Sequence, residues 1–304
     1  MIVPRGPQIR HLIGYVGLPL LTLFLYDLAI VLLYKVLHWD WVALPHIPLA
    51  LFGSAIGLIV AFRNNSSYGR WWEARTLWGG IVNNSRAWTR QVLTAIAPQK
   101  ESDRETVRAM QCRMVHLQIA WVNALKQQLR GLPPLDELHG MLEEDDLVLL
   151  KDQKNIPLTI SMWQSDMVRQ ALEKDWIDSL QWSALDRSLE DLGDLQGGSE
   201  RIKNTPMPKQ YDYYPQLFVK IYCLLLPLSL VQSMGWFTPL GSTLVGFIFL
   251  ALDKIGRDLE DPFENSIYDI PLSSMCRTIE INLRQALGER SLPEPLQPVK
   301  GVLW

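Results

Sequence analysis

The chain has 304 residues, enough for one large or two ordinary domains. Its net charge of −3 lacks the strong basic balance of a nucleic-acid binder and the acidic excess of a disordered chain. Its three cysteines, Cys112, Cys223 and Cys276, lie too far apart for a Cys-x-x-Cys metal site and exclude a disulfide framework.

The charges are spread unevenly along the chain. Leu12 to Tyr26 carries none, Asp27 interrupts, and Leu28 to Tyr34 is apolar again before Lys35. Trp41 to Phe62 has no Asp, Glu, Lys or Arg, and neither has Ile221 to Leu252. A membrane-spanning helix needs about 20 mostly apolar residues, so the first two stretches predict one span each, over about 12–37 and 41–62. The third is too long for one span and is broken near Gln232–Pro239. It predicts a helical hairpin of two spans within 213–255. Buried helices of a soluble protein are the alternative, and three such stretches in one chain are unusual there. A cleaved signal peptide with Arg5 and Arg10 as its basic region is set aside, because no small-residue cleavage site follows.

Basic residues set the orientation. Arg5 and Arg10 precede the first span, Arg63, Arg70 and Arg75 follow the second, and Lys254 and Arg257 follow the fourth, while the loops 38–48 and 233–239 have none. The positive-inside rule then puts both termini and the middle segment in the cytoplasm, with Trp39, Trp41 and Trp236 at the outer boundary.

The segment 63–212 reads as a polar, helical cytoplasmic domain, and 256–304 as a cytoplasmic tail. Ser102 and Glu105 have capping-box spacing. A helix from about Asp103 to Arg130 carries Val107, Met110, Met114, Leu117, Trp121 and Leu125 on one side, and Gly131, Pro133 and Pro134 stop it. Shorter helices are expected over Asp145–Lys151, Thr159–Lys174 and Ile177–Leu195. Gly197, Gly198, Pro206 and Pro208 predict a turn-rich return to the membrane. Ser291–Trp304, with three prolines, reads as a flexible extension. No strand alternation and no internal repeat is visible.

Small residues recur on the second span at Gly53, Gly57 and Ala61, the spacing that lets helices approach closely in lipid. The adjoining face carries Ser54, Leu58 and Phe62. A serine, a leucine and a phenylalanine so placed can pack between helices or project elsewhere. Arg63 is expected to pair with an acid such as Glu260 or Asp261, because a lone buried arginine is costly. Arg70, Glu73 and Arg75 read as a salt-bridged helix face. Asp27, inside a span, is a functional candidate by depth alone; its alternative is a hydroxyl or amide partner in the protein interior.

Three stretches carry a resemblance to a known family. They are Phe62-Arg63-Asn64-Asn65-Ser66-Ser67-Tyr68-Gly69-Arg70 with Glu73-Ala74-Arg75, Gly197-Gly198-Ser199-Glu200-Arg201-Ile202 with Thr205-Pro206-Met207-Pro208, and Leu259-Glu260-Asp261-Pro262-Phe263. With the two-plus-two span layout, these resemble the bacterial bestrophin homologues from the first span to about Leu283. The resemblance implies an all-α integral membrane protein: four transmembrane helices per subunit plus a cytoplasmic helical domain, assembled as a homopentamer around one axial pore. It implies a narrow, uncharged neck lined by Leu58 and Phe62. Ser54 departs from the bulky apolar residue common at its position, which predicts a wider, wetter outer ring. Arg63, Asn64 and Asn65 stand where the second span leaves the membrane, so the two amides can offer donors or acceptors to an ion at a pore mouth, and Arg63 neighbouring the pore is the alternative to its pairing with an acid. The resemblance also implies a second, cytoplasmic constriction at Leu180.

Animal bestrophins hold Ca²⁺ in a run of consecutive acids after Asp-Pro-Phe. Here only Glu264 and Asp269 follow, too few for the 6–8 oxygens Ca²⁺ takes, so no such clasp, no metal and no cofactor is expected. The expected function is passive flux of small monovalent ions, anions such as chloride first, across a bacterial inner membrane. The partners are the lipid bilayer, further copies of the chain and the permeant ions, with no nucleic acid. A sodium-selective channel of the same fold is the nearest alternative, and a secondary transporter a more distant one. His11, His38, His46, His116 and His139 form no catalytic spacing and no Gly-x-Ser-x-Gly elbow occurs, so no enzyme is expected.

Overall fold

The computed structural model describes residues 1, 9–44 and 47–304, without the side chains of 9–13. Arg5 and His46, and the side chains of Arg10 and His11, therefore lie outside the described residues. Among the described residues the regular structure is helical, with two isolated bridges and no strand. In chain order the helices are α1 (Ile9–Lys35), α2 (Leu49–Ala95), α3 (Arg104–Leu129), α4 (Leu135–Leu138), α5 (Glu144–Leu150), α6 (Ile156–Glu173), α7 (Ser179–Asn204), α8 (Lys209–Met234), α9 (Thr238–Glu260) and α10 (Leu272–Leu287).

α2 is one uninterrupted helix of 47 residues, about 70 Å long at 1.5 Å per residue. The polar run after Phe62 does not end it. Ser54, Ser66, Thr76 and Thr94 each donate their hydroxyl to the carbonyl four residues back, at 2.8–3.1 Å. Such back-bonding satisfies a polar side chain without leaving the helix.

The chain divides into two compact units. One is built from α1, the part of α2 up to Trp71, and the stretch Pro206–Asp261 that holds α8 and α9. α1, the start of α2, and the α8–α9 stretch are each long and apolar enough to cross a membrane. The uncharged third stretch is a helical hairpin, as its length predicts: a single 3₁₀ turn, Gly235–Phe237, joins α8 to α9. Gly235 sits at φ +55°, a conformation L side chains rarely adopt. Leu23, Val60, Val219 and Cys223 form one buried cluster here, and Ile30, Val31, Val42 and Val231 another.

The second unit holds Trp72–Thr205 and Pro262–Trp304. α3 is its centre. The predicted stripe Val107, Met110, Met114, Leu117, Trp121 and Leu125 is buried, and so are Val115, Ile119, Val122 and Ala124 off that stripe, because neighbours surround the helix. A chain of amides fixes the packing: Gln164 on α6 donates to Gln118 Oε1 on α3 (3.1 Å), and Gln118 donates to Ser85 on α2 (2.9 Å).

Three local expectations are corrected. Ser102 and Glu105 form no capping box; Asp103 occupies the cap of α3 without a side-chain cap bond, and Ser102 donates to Asp103 at 3.1 Å. Gly197 and Gly198 do not break the chain, because α7 runs through them to Asn204 and stops only before Pro206. Smallness serves packing at Gly198, where a Cβ would lie 3.0 Å from Leu77, and at Gly80, where one would lie 2.9 Å from Leu195, whereas Gly197 has nothing within 4 Å. Ser291–Trp304 is docked, not loose. The Ser274 amide donates to the Trp304 carbonyl at 2.7 Å, Arg277 donates to the Glu294 carbonyl at 3.1 Å, and Val302 is buried.

Gly198→Val is expected to lower stability by about 1–3 kcal/mol through overpacking, read as a lower thermal midpoint of the purified protein. Gly193→Ala, with nothing within 4 Å, is expected to raise stability by up to about 1 kcal/mol through helix propensity. A Gly198→Val chain melting with the parent would rule out close packing of α2 on α7.

Candidate functional site

The first unit places a buried ion pair behind an uncovered apolar face of the same helix. Arg63, 1% exposed, donates to Asp253 Oδ1 at 2.7 Å and also to the Asp253 backbone carbonyl. Asp212 stands 3.5 Å away, and Arg257 meets the second Asp253 oxygen at 3.0 Å. A buried arginine thus finds an acid as expected, but the acid is Asp253, not Glu260 or Asp261. Those two belong to Arg70, which donates to the Glu260 carbonyl at 3.0 Å and lies 3.9 Å from Asp261. The Arg63–Asp253 and Arg70–Glu260 contacts share one sequence separation, 190. α2 and α9 therefore run parallel in fixed register over two helical turns.

Small residues allow the approach. A Cβ on Gly53 would come within 2.7 Å of the Tyr222 hydroxyl, and one on Gly256 within 2.0 Å of Asn64 Oδ1. Gly53 and Gly57 face α8 and α9, while Ala61 is exposed. Asn64 donates to the Leu252 carbonyl at 2.8 Å and accepts from Arg63 at 3.2 Å. Its amide is therefore engaged with α9, whereas Asn65 is exposed.

On the other side of α2, Leu58 is 59% and Phe62 62% exposed. Ser54 is exposed too, with its hydroxyl held on the Ala50 carbonyl at 2.8 Å. At 100° per residue Ser54, Leu58, Phe62 and Asn65 lie along one strip, opposite buried Val60, Arg63 and Ser67. Leu58 and Phe62 are thus mostly uncovered by helices of the same chain. In the other unit, Leu180 stands on the first turn of α7, 81% exposed. That turn is fixed by Asp178, which accepts from the Gln181 amide at 2.7 Å.

Asp27 is buried in α1 and accepts from Thr243 at 3.2 Å, with Ser242 beside it, the interior hydroxyl partner the sequence offers as its alternative. Among the described residues no cluster of three or more His, Cys, Asp or Glu could hold a metal ion. Asp269 is taken up by the Ser266 amide (3.0 Å) and hydroxyl, and burial pushes its carboxyl above the usual range. Glu264 pairs with Lys203 at 2.5 Å. Sequence reasoning missed Asp253. Its signal was available, as the first charge after the apolar run ending at Leu252.

The model of the bacterial and fungal bestrophin protein family matches residues 11–285. The chain belongs to that family. A crystallised bestrophin homologue from Klebsiella pneumoniae superposes with a TM-score of 0.84 at 30% identity, over 91% of this chain and 100% of that one. A voltage-dependent anion channel-forming protein of Ralstonia nicotianae is 36% identical over 258 residues, 84% of this chain and 82% of the relative. Another, from Salmonella typhi, is 31% identical over 281 residues, 92% and 90%. Membership places the chain among channels and not among enzymes.

Arg63→Met is expected to cost about 3–5 kcal/mol, because Asp253 is left buried without its partner. Adding Asp253→Leu should recover part of the loss, compared as thermal midpoints in one detergent. Equal losses in the single and double variants would show that Asp253 is not the partner that matters.

Proposed function

We propose that this bestrophin forms an anion channel: a homopentamer around one axial pore, embedded in a bacterial inner membrane through α1, the start of α2, α8 and α9. The termini and the middle segment lie on the cytoplasmic side. The observation that carries the proposal is the strip Ser54–Leu58–Phe62, uncovered in a helix whose opposite side is locked to its own subunit. Side chains of this size need a partner, and the partner is the same strip on other copies. Exposed Trp41 and Trp236, near the ends of the apolar stretches, fit the outer interface.

The neck would work without charge. Arg63 is buried and matched by Asp253, so it is not offered to an ion. A ring of Leu58 and Phe62 side chains resists wetting, and small changes in its width gate it. Selectivity then follows ring orientation, since an aromatic edge is electropositive and favours anions whereas a face favours cations. The names of the relatives, voltage-dependent anion channel-forming proteins, support the anion choice. Ser54, its hydroxyl spent on its own helix, makes a wider outer ring. Asn65 lies next along the strip, and with Asn64 marks the mouth; Leu180 supplies the cytoplasmic constriction.

Purified protein in a planar bilayer under a NaCl gradient is expected to reverse near the chloride potential. Phe62→Ala or Leu58→Ala should change conductance or shift that reversal. Reversal near the sodium potential would overturn the anion assignment, and two variants that conduct like the parent would overturn the neck.

A further inference from the structure

We propose that a groove among α1, α8 and α9 binds one anionic glycerophospholipid, with its phosphate at Lys220 and Arg257 and an acyl chain along the apolar wall. The inference rests on the membrane reading of the first unit. The groove has a volume of about 610 Å³, within the range of ligand sites. Its wall is made by Leu23 of α1, Val219 and Leu224 of α8, and Leu250 of α9. Two polar groups in that wall are already satisfied within the protein: the Tyr26 hydroxyl donates to the Leu224 carbonyl at 3.1 Å, and Thr22 donates to the Pro19 carbonyl at 2.8 Å. The wall is therefore mainly apolar, and the amide of Gln216 lines the groove one turn before Lys220 on α8.

The other end of the groove is cationic. Asp253 lines it, but its charge is shared between Arg63 at 2.7 Å and Arg257 at 3.0 Å. Lys220 is exposed and makes no ion pair among the described residues. One ammonium is thus left unmatched beside a partly exposed guanidinium. Both stand toward the same end of the α8–α9 hairpin, within about 6 Å in depth. From the Gly235–Phe237 turn, Arg257 is about 28 Å along α9 and Lys220 about 22 Å along α8, and a lysine stem can reach the remaining distance. That level is the inner edge of a hydrocarbon layer about 30 Å thick, where lipid phosphates lie. A basic site between spanning helices on the cytoplasmic side suits an anionic headgroup, and the dry wall beside it needs a chain that a free phosphate lacks.

The full-length protein, purified and stripped of lipid, is titrated with palmitoyl-oleoyl phosphatidylglycerol or phosphatidylcholine and read by native mass spectrometry. The parent is expected to favour phosphatidylglycerol about tenfold, the scale of one charge-assisted contact. Lys220→Glu should bring the two lipids to parity, Lys220→Gln should do most of the same, and Lys254→Gln, outside the groove, should keep the preference. Parity in the parent, an undiminished preference in both Lys220 variants, or displacement of the lipid by an equal concentration of inorganic phosphate would each overturn the site. Flotation with pure phosphatidylcholine vesicles separates the two readings. A chain that fails to insert overturns the membrane reading together with the site, whereas one that inserts and binds both lipids alike overturns the site alone.

Discussion

The pairing of Arg63 with Asp253 fixes the rotation of α2, and the rest of the candidate site depends on that rotation. Two charges withdrawn from water must meet in good geometry or be lost, which leaves α2 little freedom to turn. With Arg63 held on α9, the strip of Leu58 and Phe62 is directed away from the subunit's own helices. Asn64 on the Leu252 carbonyl and the close approach at Gly256 act in the same sense. The pair gives no function by itself; it decides which side chains of α2 are left uncovered.

Much of the first unit was legible from charge alone. Long runs without Asp, Glu, Lys or Arg locate α1, the start of α2 and the α8–α9 hairpin, since few other arrangements tolerate such runs. The need of Arg63 for an acid was equally clear, but not which acid. Asp253 and Glu260 lie two turns apart on one helix, and composition does not set the offset between two helices distant in sequence. Only the register, read from both contacts together, does so.

Local signals were weaker where packing overrides them. Gly197-Gly198 reads as punctuation, yet Gly198 lies inside a helix because its small size admits Leu77. The Ser102–Glu105 spacing suits a cap, yet the chain enters α3 through a 3₁₀ turn. The prolines near the end suggest a loose segment, but the Ser274 amide and the Arg277 side chain hold it against α10. At the strip itself the sequence gives the side chains and their periodicity, while their freedom from intrasubunit contacts is a tertiary property.

The unbroken course of α2 makes its length harder to alter than its composition. One residue inserted between Arg63 and Arg70 would turn Arg70 by about 100° and advance it by about 1.5 Å along α9, with no loop nearby to absorb the change. Within this unit Arg63 and Arg70 each hold a fixed partner on α9, so the helix is indexed at both points. Side chains on its exposed surface can vary widely, but a shift of reading phase between these two points breaks one contact or the other.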